Sequence, residues 1–173
     1  MLKKILCTAG VMLMTAFSTA KAGDLYCYEG PYDAAYVARI KADAERGDAE
    51  AQCRLAECSY WGYCEGIPRD YSICCNWLEK AAEQGDTWGQ VWLGEMYEEG
   101  KGVQQDFVKA RELFEKSAAQ GNPFAQFTLG IWYFYGKGVV QNKVTAKEWF
   151  GKACDNGHQR GCVKYRELNE AGY

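Results

Sequence analysis

The chain has 173 residues, a formal net charge of −3 at neutral pH and 48 % hydrophobic residues. This length and composition are typical of a single globular domain. The acidic balance disfavours binding to a phosphate backbone, and no basic cluster is interleaved with aromatic residues, so we expect no nucleic-acid partner.

The N-terminus has the layout of an export signal. Lys3 and Lys4 precede an uncharged stretch over residues 5–20, and Ala20-Lys21-Ala22 offers small residues where a signal peptidase cleaves. The stretch is shorter than the ~20 residues that span a bilayer. We therefore expect cleavage after Ala22, no stable membrane insertion afterwards, and a mature protein that is periplasmic or secreted.

Units of 36 to 38 residues repeat in register along the rest of the chain. When Leu55, Leu93 and Leu129 are aligned, glycines, capping residues and lysines align as well. The aligned sets are Gly62, Gly100 and Gly136; Asp70, Asp106 and Asn142; Lys80, Lys116 and Lys152; and Gly85, Gly121 and Gly157. Self-similarity at this period predicts a solenoid.

Each unit has the pattern of two helices. Apolar residues recur at helical spacing on both sides of a glycine turn, and an Asp or Asn stands before each helix as a candidate N-cap. His158 occupies the cap position before the last helix. The expected divisions are a signal peptide at 1–22, an N-terminal segment with a capping helix at 23–47, repeats at 48–85, 86–121 and 122–157, and a C-terminal capping helix at 158–173. The fold class expected from this pattern is all-α.

The motifs within the units resemble those of a known family. Leu-Gly-x-x-Tyr at residues 93–97 and 129–133, followed by Gly-Lys-Gly-Val at 100–103 and 136–139, resembles the Sel1-like repeat. The first unit departs from it, with Ala56 in place of the glycine and Ser59 in place of the tyrosine. The resemblance implies a right-handed α-solenoid related to the tetratricopeptide solenoids, and a role as a protein-binding adaptor.

The cysteines predict disulfides. After residue 22 the chain keeps eight of its nine cysteines, but it has one histidine and no pair of Cys-x-x-Cys motifs, so we predict no metal site. Cys154 ends one helix and Cys162 begins the next across a short turn, which predicts that they pair. Their spacing also resembles a bridge of secreted cysteine-rich Sel1-like proteins.

The other six cysteines cluster around the first unit, and their pairing remains open among 15 connectivities. One pair is favoured because both residues lie about one turn from the same inter-helix loop, and the other two follow by elimination. The expected pairs are Cys58 with Cys74, Cys64 with Cys75, and Cys27 with Cys53. Such bridges would replace packing that the first unit lacks.

Motifs for catalysis are missing from the sequence after residue 22. Ser59, Ser72 and Ser117 lie outside Gly-x-Ser-x-Gly, and none is followed three residues later by lysine. The Gly-Lys-Gly turns lack the spacing of a phosphate-binding loop. We expect no catalytic residue and no cofactor. The alternative that the resemblance implies is a penicillin-binding or weakly β-lactamase-like hydrolase.

The first helix of each unit carries apolar and acidic residues on the side opposite its core-facing residues. On a helical wheel these positions are Trp88, Val91, Trp92 and Glu95 in the second unit, and Phe124, Phe127, Ile131 and Tyr135 in the third. They either pack against the adjoining unit or line an aromatic groove for a protein or peptide partner. The resemblance leaves open an envelope adaptor, a host-interaction factor and a toxin-neutralising immunity protein.

Overall fold

A computed structural model describes residues 32–173, so the expected signal peptide and Cys27 lie outside the described residues. This part of the chain forms eight helices and no strand. They are α1 (Ala34–Glu45), α2 (Ala49–Trp61), α3 (Tyr71–Glu83), α4 (Thr87–Glu99), α5 (Phe107–Ala119), α6 (Pro123–Tyr135), α7 (Lys143–Asp155) and α8 (Gln159–Glu170). Each helix packs mainly against its neighbours in chain order, which confirms the predicted all-α solenoid.

Three helix pairs form the body of the solenoid. Unit 1 is α2 with α3, unit 2 is α4 with α5, and unit 3 is α6 with α7, while α1 and α8 cover the two ends. Between residues 32 and 173, no helix has the length and apolar character that crossing a bilayer requires.

Side-chain caps set where the helices begin. Each of the eight helices starts at a residue whose side chain accepts a hydrogen bond from a backbone N–H of the first turn. The caps are Asp33, Asp48, Asp70, Asp86, Asp106, Asn122, Asn142 and His158. The caps that the sequence predicted from Asp48 onward are therefore all in place.

The glycine of the Leu-Gly-x-x-Tyr motif lets two helices of a unit approach closely. A Cβ atom at Gly94 would lie 2.8 Å from Cε1 of Phe114, and one at Gly130 would lie 2.5 Å from Cε1 of Phe150. Both phenylalanines are fully buried. The glycine is therefore required because a large ring from the second helix fills the space next to it.

Unit 1 replaces this glycine–phenylalanine pair with Ala56 and Leu78. Both are fully buried in one apolar cluster, which also contains Leu93 and Met96 of the next unit. A larger residue on the first helix is thus matched by a smaller one on the second, which conserves volume in the core.

A buried amide repeats at every junction between units. Gln52, Gln90 and Gln126 each donate to the backbone carbonyl eight residues earlier, at 3.1, 3.3 and 3.0 Å. Each also accepts a hydrogen bond from an amide near the end of its unit's second helix, donated by Gln84, Gln120 and Asn156. These amides are buried and fully partnered, so they fix the register of successive units without an unsatisfied polar group.

Two disulfides form within residues 32–173. Cys154 pairs with Cys162, as expected, with their Cα atoms 4.5 Å apart. Cys58 pairs with Cys64, with Cα atoms 5.3 Å apart. The chain reverses at Gly62, which takes a left-handed conformation with φ 69°, and this brings Cys64 back beside the last turn of α2.

The predicted pairs Cys58–Cys74 and Cys64–Cys75 are therefore wrong. Cys58 and Cys64 both lie in the apolar cluster shared with α1, whereas Cys74 and Cys75 lie in the cluster that faces unit 2. The two sets of sulfur atoms therefore lie in different apolar clusters. Distance from the inter-helix loop does not show which way each side chain points.

Three cysteines of unit 1 are buried thiols, namely Cys53, Cys74 and Cys75. The predicted partner of Cys53 was Cys27, which lies outside the described residues, and Cys53 is a free thiol that donates to Asp86 at 3.4 Å. Burial raises the pKa of Cys74 to about 12 and that of Cys75 to about 11. These residues therefore act as small apolar core residues, and their thiols have little thiolate character at neutral pH.

Candidate functional site

A row of aromatic rings crosses α4, α6 and α8. These are the first helices of units 2 and 3 and the helix that covers the C-terminal end. The centroid of Trp88 lies 5.0 Å from that of Phe124, and Phe124 lies 5.1 Å from the imidazole of His158. The imidazole in turn stacks on Phe127 at 4.3 Å, with the ring planes 20° apart. The row is continuous because Trp88 and Phe124 occupy equivalent positions in units 2 and 3.

Most of the residues predicted for the binding face are half-buried. Trp88, Trp92, Glu95, Phe124, Phe127 and Ile131 have intermediate exposure, and the side chain of Tyr135 is 67 % exposed. We call these seven residues the first-helix face. Trp88 and Trp92 also pack against the core cluster of units 2 and 3, while Phe127 and Ile131 pack against that of unit 3. Packing between units and partial exposure therefore coexist in the same side chains.

Val91 does not belong to this face. It is 1 % exposed and lies in the core cluster with Phe114, Leu129 and Trp132. The helical wheel placed it opposite Leu93, but unit 3 packs on that flank of α4 and covers it. A residue buried between two units is not available to a partner.

A narrow notch extends the face toward unit 1. It lies between α2 and α4 and is lined by Cys53, Arg54, Glu57, Trp88 and Trp92. Arg54 makes an ion pair with Glu50 at 2.8 Å. The notch thus places a guanidinium and a carboxyl group against two indole rings.

Burial controls the chemistry of the acidic group in the notch. Glu57 is 6 % exposed, and burial raises its pKa despite a hydrogen bond with Tyr63 and the nearby charge of Arg54. Burial and the same carboxyl group raise the pKa of Tyr63, which therefore stays a neutral hydrogen-bond donor.

The indole N–H of Trp92 has no hydrogen-bond partner within residues 32–173. Trp92 Nε1 is buried and donates to no acceptor in this part of the chain. An N–H that is buried without an acceptor costs about 1–3 kcal/mol, so a ligand oxygen that reached it would recover that cost.

His158 joins the face from α8. Its Nδ1 accepts the N–H of Gly161 at 3.1 Å, so this nitrogen carries no proton and the imidazole is neutral. Burial, followed by the charge of Arg160, lowers the pKa of His158. The guanidinium of Arg160 lies 5.2 Å from the centroid of the Phe127 ring.

The predicted binding residues did not include the unit 1 side of the notch or His158. Arg54 and Glu57 are the unit 1 equivalents of Trp92 and Glu95, so the repeat alignment contains the signal for them. The signal for His158 was its cap position, equivalent to Asp86 and Asn122. Neither signal indicates that these side chains meet the aromatic residues, because that depends on the angle between successive units.

Two of the three serines considered for catalysis donate their hydroxyl groups to the backbone. Ser59 and Ser117 are buried, and their hydroxyl groups donate to the backbone carbonyls of Leu55 and Thr87. In the same part of the chain, no three His, Cys, Asp or Glu residues converge to hold a metal ion. The groups gathered at the first-helix face and the notch are suited to contact, because they combine aromatic rings, the guanidinium groups of Arg54 and Arg160, and the unsatisfied N–H of Trp92.

The family model described as Sel1 repeat matches residues 49–86, 89–122 and 123–158. These segments cover more than half of the chain and coincide with the three helix pairs. The chain belongs to the Sel1 repeat family. Proteins built from Sel1 repeats are generally non-catalytic scaffolds, and these repeats commonly mediate protein–protein interaction.

Solved structures of Sel1 repeat proteins are similar to this chain. The Escherichia coli protein c5321, a protective antigen present in uropathogenic strains, is 33 % identical with a TM-score of 0.71 over 79 % of this chain and 29 % of c5321. A Sel1 repeat protein from Oxalobacter formigenes is 34 % identical, with a TM-score of 0.67 over 76 % of this chain and 97 % of that protein.

A third similar structure is cysteine-rich protein B of Helicobacter pylori. It is 29 % identical, with a TM-score of 0.58 over 73 % of this chain and 95 % of that protein. The chain spans less than a third of the length of c5321. No curated protein matches this chain.

Proposed function

We propose that this protein is an exported, non-catalytic adaptor that binds a protein or peptide partner on its first-helix face. The observation that carries the proposal is the row of half-exposed aromatic rings from Trp88 through Phe124 and His158 to Phe127. Contiguous aromatic surface of this kind typically marks an interaction site in soluble proteins.

The face has the composition of a binding hot spot. Tryptophan and tyrosine contribute much of the binding energy at interfaces, because they bury a large area with few rotatable bonds. Trp88 and Trp92 are also held in place by the core of units 2 and 3, so little side-chain freedom remains to be lost on binding.

The notch supports a partner that supplies a hydrogen-bond acceptor. Trp92 Nε1 is an unsatisfied donor, and Arg54 lines the same notch. A peptide carbonyl or carboxylate oxygen would satisfy the indole N–H and lie near a positive charge. We therefore infer a partner segment that is apolar along the row of rings and offers an acceptor at its unit 1 end.

The disulfides and the N-terminal sequence support export. The Cys58–Cys64 and Cys154–Cys162 disulfides are typical of an oxidising compartment, and the sequence begins with the layout of a signal peptide. The setting is then an envelope adaptor, a host-interaction factor or a toxin-neutralising immunity protein. Because c5321 is named as a protective antigen, the host-facing role is the first to test.

The test compares partner capture by variants of two exposed surfaces. Tyr135→Ser and Trp88→Ala alter the first-helix face, while Val144→Ser alters α7, where Val144 is 52 % exposed compared with 67 % for Tyr135. Immobilised oxidised protein is incubated with envelope extract and with host-cell extract, and bound proteins are quantified. We expect the first two variants to lose at least about tenfold in apparent affinity, since interface hot spots contribute about 2 kcal/mol.

The Val144→Ser variant should capture the same proteins as the wild type. Equal capture by all variants, or a selective loss with Val144→Ser, would place the interaction elsewhere. Thermal melting of Trp88→Ala shows how much of its effect arises from lost packing, and Tyr135→Ser provides a change with little packing cost. Incubation with nitrocefin tests the hydrolase alternative, for which we expect no turnover.

A further inference from the structure

The turn that leads into α8 contains the only Asn-Gly pair of the chain, at Asn156 and Gly157. Units 1 and 2 have glutamine at the equivalent position, in Gln84-Gly85 and Gln120-Gly121. Asparagine is a thermolabile residue, and a following glycine has no Cβ atom to hinder attack of its backbone nitrogen on the asparagine side chain. Glutamine has one more methylene group, so the same attack on it closes a larger and less favourable ring. The turn of unit 3 is therefore chemically the least stable of the three.

This turn is open to solvent, whereas the equivalent turns are covered by the unit that follows. The Gly85 carbonyl accepts a hydrogen bond from Gln120 of the next unit at 3.1 Å. A Cβ atom at Gly121 would lie 4.0 Å from Oδ1 of Asn156, which also belongs to the next unit. Asn156 and Gly157 are both exposed, and within residues 32–173 no later second helix lies over them. Water therefore reaches the Asn-Gly pair directly.

Deamidation at such a pair needs only water as a reactant. The backbone nitrogen of Gly157 loses its proton and attacks Cγ of Asn156, and the bond between Cγ and Nδ2 breaks. The side-chain NH2 group takes up a proton and leaves as ammonia, which gives a five-membered succinimide. Water then opens this ring at either carbonyl group. The product is aspartate or isoaspartate at position 156, and in isoaspartate the main chain runs through the side-chain carbon.

Hydrogen bonds engage both reacting groups while the turn is closed. Nδ2 of Asn156 donates to Oε1 of Gln126 at 3.0 Å and to the carbonyl of Lys152 at 3.1 Å. The N–H of Gly157 donates to the carbonyl of Cys154 at 2.9 Å. These bonds have to open before the nitrogen loses its proton and the side chain turns toward it. The reaction therefore proceeds from the locally open turn, and its rate depends on how often the turn opens.

The conversion removes a donor from the junction between units 2 and 3. Gln126 is buried, and it accepts from Asn156 while it donates to the Ala118 carbonyl at 3.0 Å. A carboxylate at position 156 has no N–H, so it would face the Gln126 oxygen. Turning the Gln126 amide over would satisfy the carboxylate but would place the amide oxygen against the Ala118 carbonyl. One hydrogen bond of the junction is therefore lost in either orientation.

We propose that Asn156 is a site of spontaneous, irreversible deamidation, and that its conversion weakens the junction between units 2 and 3. The Cys154–Cys162 disulfide spans the same turn, so α8 stays attached and the change is local. This chemistry does not depend on the proposed binding function.

The experiment follows all asparagines of the purified oxidised protein at once. The protein is incubated at mildly alkaline pH, which favours loss of the backbone proton, and samples are digested and analysed by mass spectrometry. The chain has five asparagines, and the other four are followed by Trp77, Pro123, Lys143 and Glu170. We expect Asn156 to convert several-fold faster than any of these four. Cys154→Ala with Cys162→Ala should speed the conversion further, because it frees the turn to open.

Two variants at position 156 are the matched controls. Asn156→Gln installs the residue that units 1 and 2 use, so it should resist conversion and melt like the wild type. Asn156→Asp has the side chain of the product and should melt about 2–4 °C lower at neutral pH, the shift expected for one lost hydrogen bond in a chain of this size. The proposal is overturned if Asn156 converts no faster than the other asparagines, if removal of the bridge leaves its rate unchanged, or if Asn156→Asp melts at the same temperature as the wild type.

Discussion

Units 1 and 2 follow the same path through the solenoid with different core chemistry. Unit 2 places the ring of Phe114 over Gly94, whereas unit 1 places Leu78 near Ala56 and fills the remaining space with buried thiols. Both units keep the same Asp caps and the same buried glutamine at the junction. The fold therefore depends on caps, register and total core volume, and it tolerates exchange of the residues that provide that volume.

The same comparison explains where the notch lies. It forms at the junction of the two units, where α2 presents Arg54 and Glu57 to Trp88 and Trp92 of α4. In unit 3 the positions equivalent to Arg54 and Glu57 are Thr128 and Ile131, which carry no charge. The irregular unit thus supplies the charged end of a face whose other end is aromatic.

The largest expected effect comes from placing the alanine of unit 1, Ala56, at the equivalent position of unit 2, Gly94. Gly94→Ala places a methyl group 2.8 Å from Phe114, and overpacking of this kind costs about 1–3 kcal/mol. Adding Phe114→Leu reproduces the Ala56–Leu78 pair of unit 1. We expect the double variant to be more stable than the sum of the two single effects predicts, as measured by urea unfolding in a double-mutant cycle.

Ala56→Gly is the matched change in unit 1. It removes a methyl group without relieving a clash, so it should destabilise the protein and show no such coupling with changes at Phe114. Additive single effects in unit 2 would mean that the helices separate to accommodate the methyl group, and that the volume argument does not hold.

The second-largest expected effect comes from removing the disulfides, of which one lies in unit 1 and one at the C-terminal end. Replacing both cysteines of either bridge with alanine removes a short closed loop, which the chain-entropy model values at about 2 kcal/mol. We expect a similar loss of stability for Cys58→Ala with Cys64→Ala and for Cys154→Ala with Cys162→Ala. Urea unfolding with and without reductant measures both losses.

The control is Cys74→Ala, which removes a buried thiol and no bridge. It should leave the effect of reductant on stability unchanged. A non-reducing digest should give one peptide that links Cys58 to Cys64 and unlinked peptides with Cys74 and Cys75. Recovery of a Cys58–Cys74 peptide would restore the pairing first expected from the sequence.

The sequence predicted the regular features of the fold well, because each one repeats. Caps such as Asp86 and Asn122, the glycine turns and the helix pairs recur at a fixed spacing, and a recurring local signal has few alternative explanations. The Cys154–Cys162 bridge was also accessible, because both residues flank one tight turn. These features depend on residues close together in the chain.

The remaining features depend on how units sit against each other. Val91 was assigned to the face because a helical wheel does not show that unit 3 covers that flank of α4. Cys58 was paired with Cys74 for the same reason, since the two sulfur atoms enter different clusters. The ring of His158 reaches Phe127 only because of the angle at which α8 packs, which no residue pattern encodes.

The smallest expected effect concerns the charge that unit 1 contributes to the notch. Burial raises the pKa of Glu57, so the folded protein binds this proton more readily than the unfolded chain. The contribution of Glu57 to stability is therefore most favourable below its ordinary pKa and is lost as the pH rises through the folded value.

Glu57→Gln keeps an oxygen that can accept from Tyr63 and removes the buried charge, so this variant should melt slightly higher than the wild type at neutral pH. The difference should shrink in acid. Glu95→Gln, at the equivalent position of unit 2, is the matched control, because Glu95 is less buried than Glu57. If Glu57→Gln melts lower than the wild type at neutral pH, the ionised carboxylate is instead stabilised by Arg54, and the notch holds an ion pair that a partner's acceptor would have to displace.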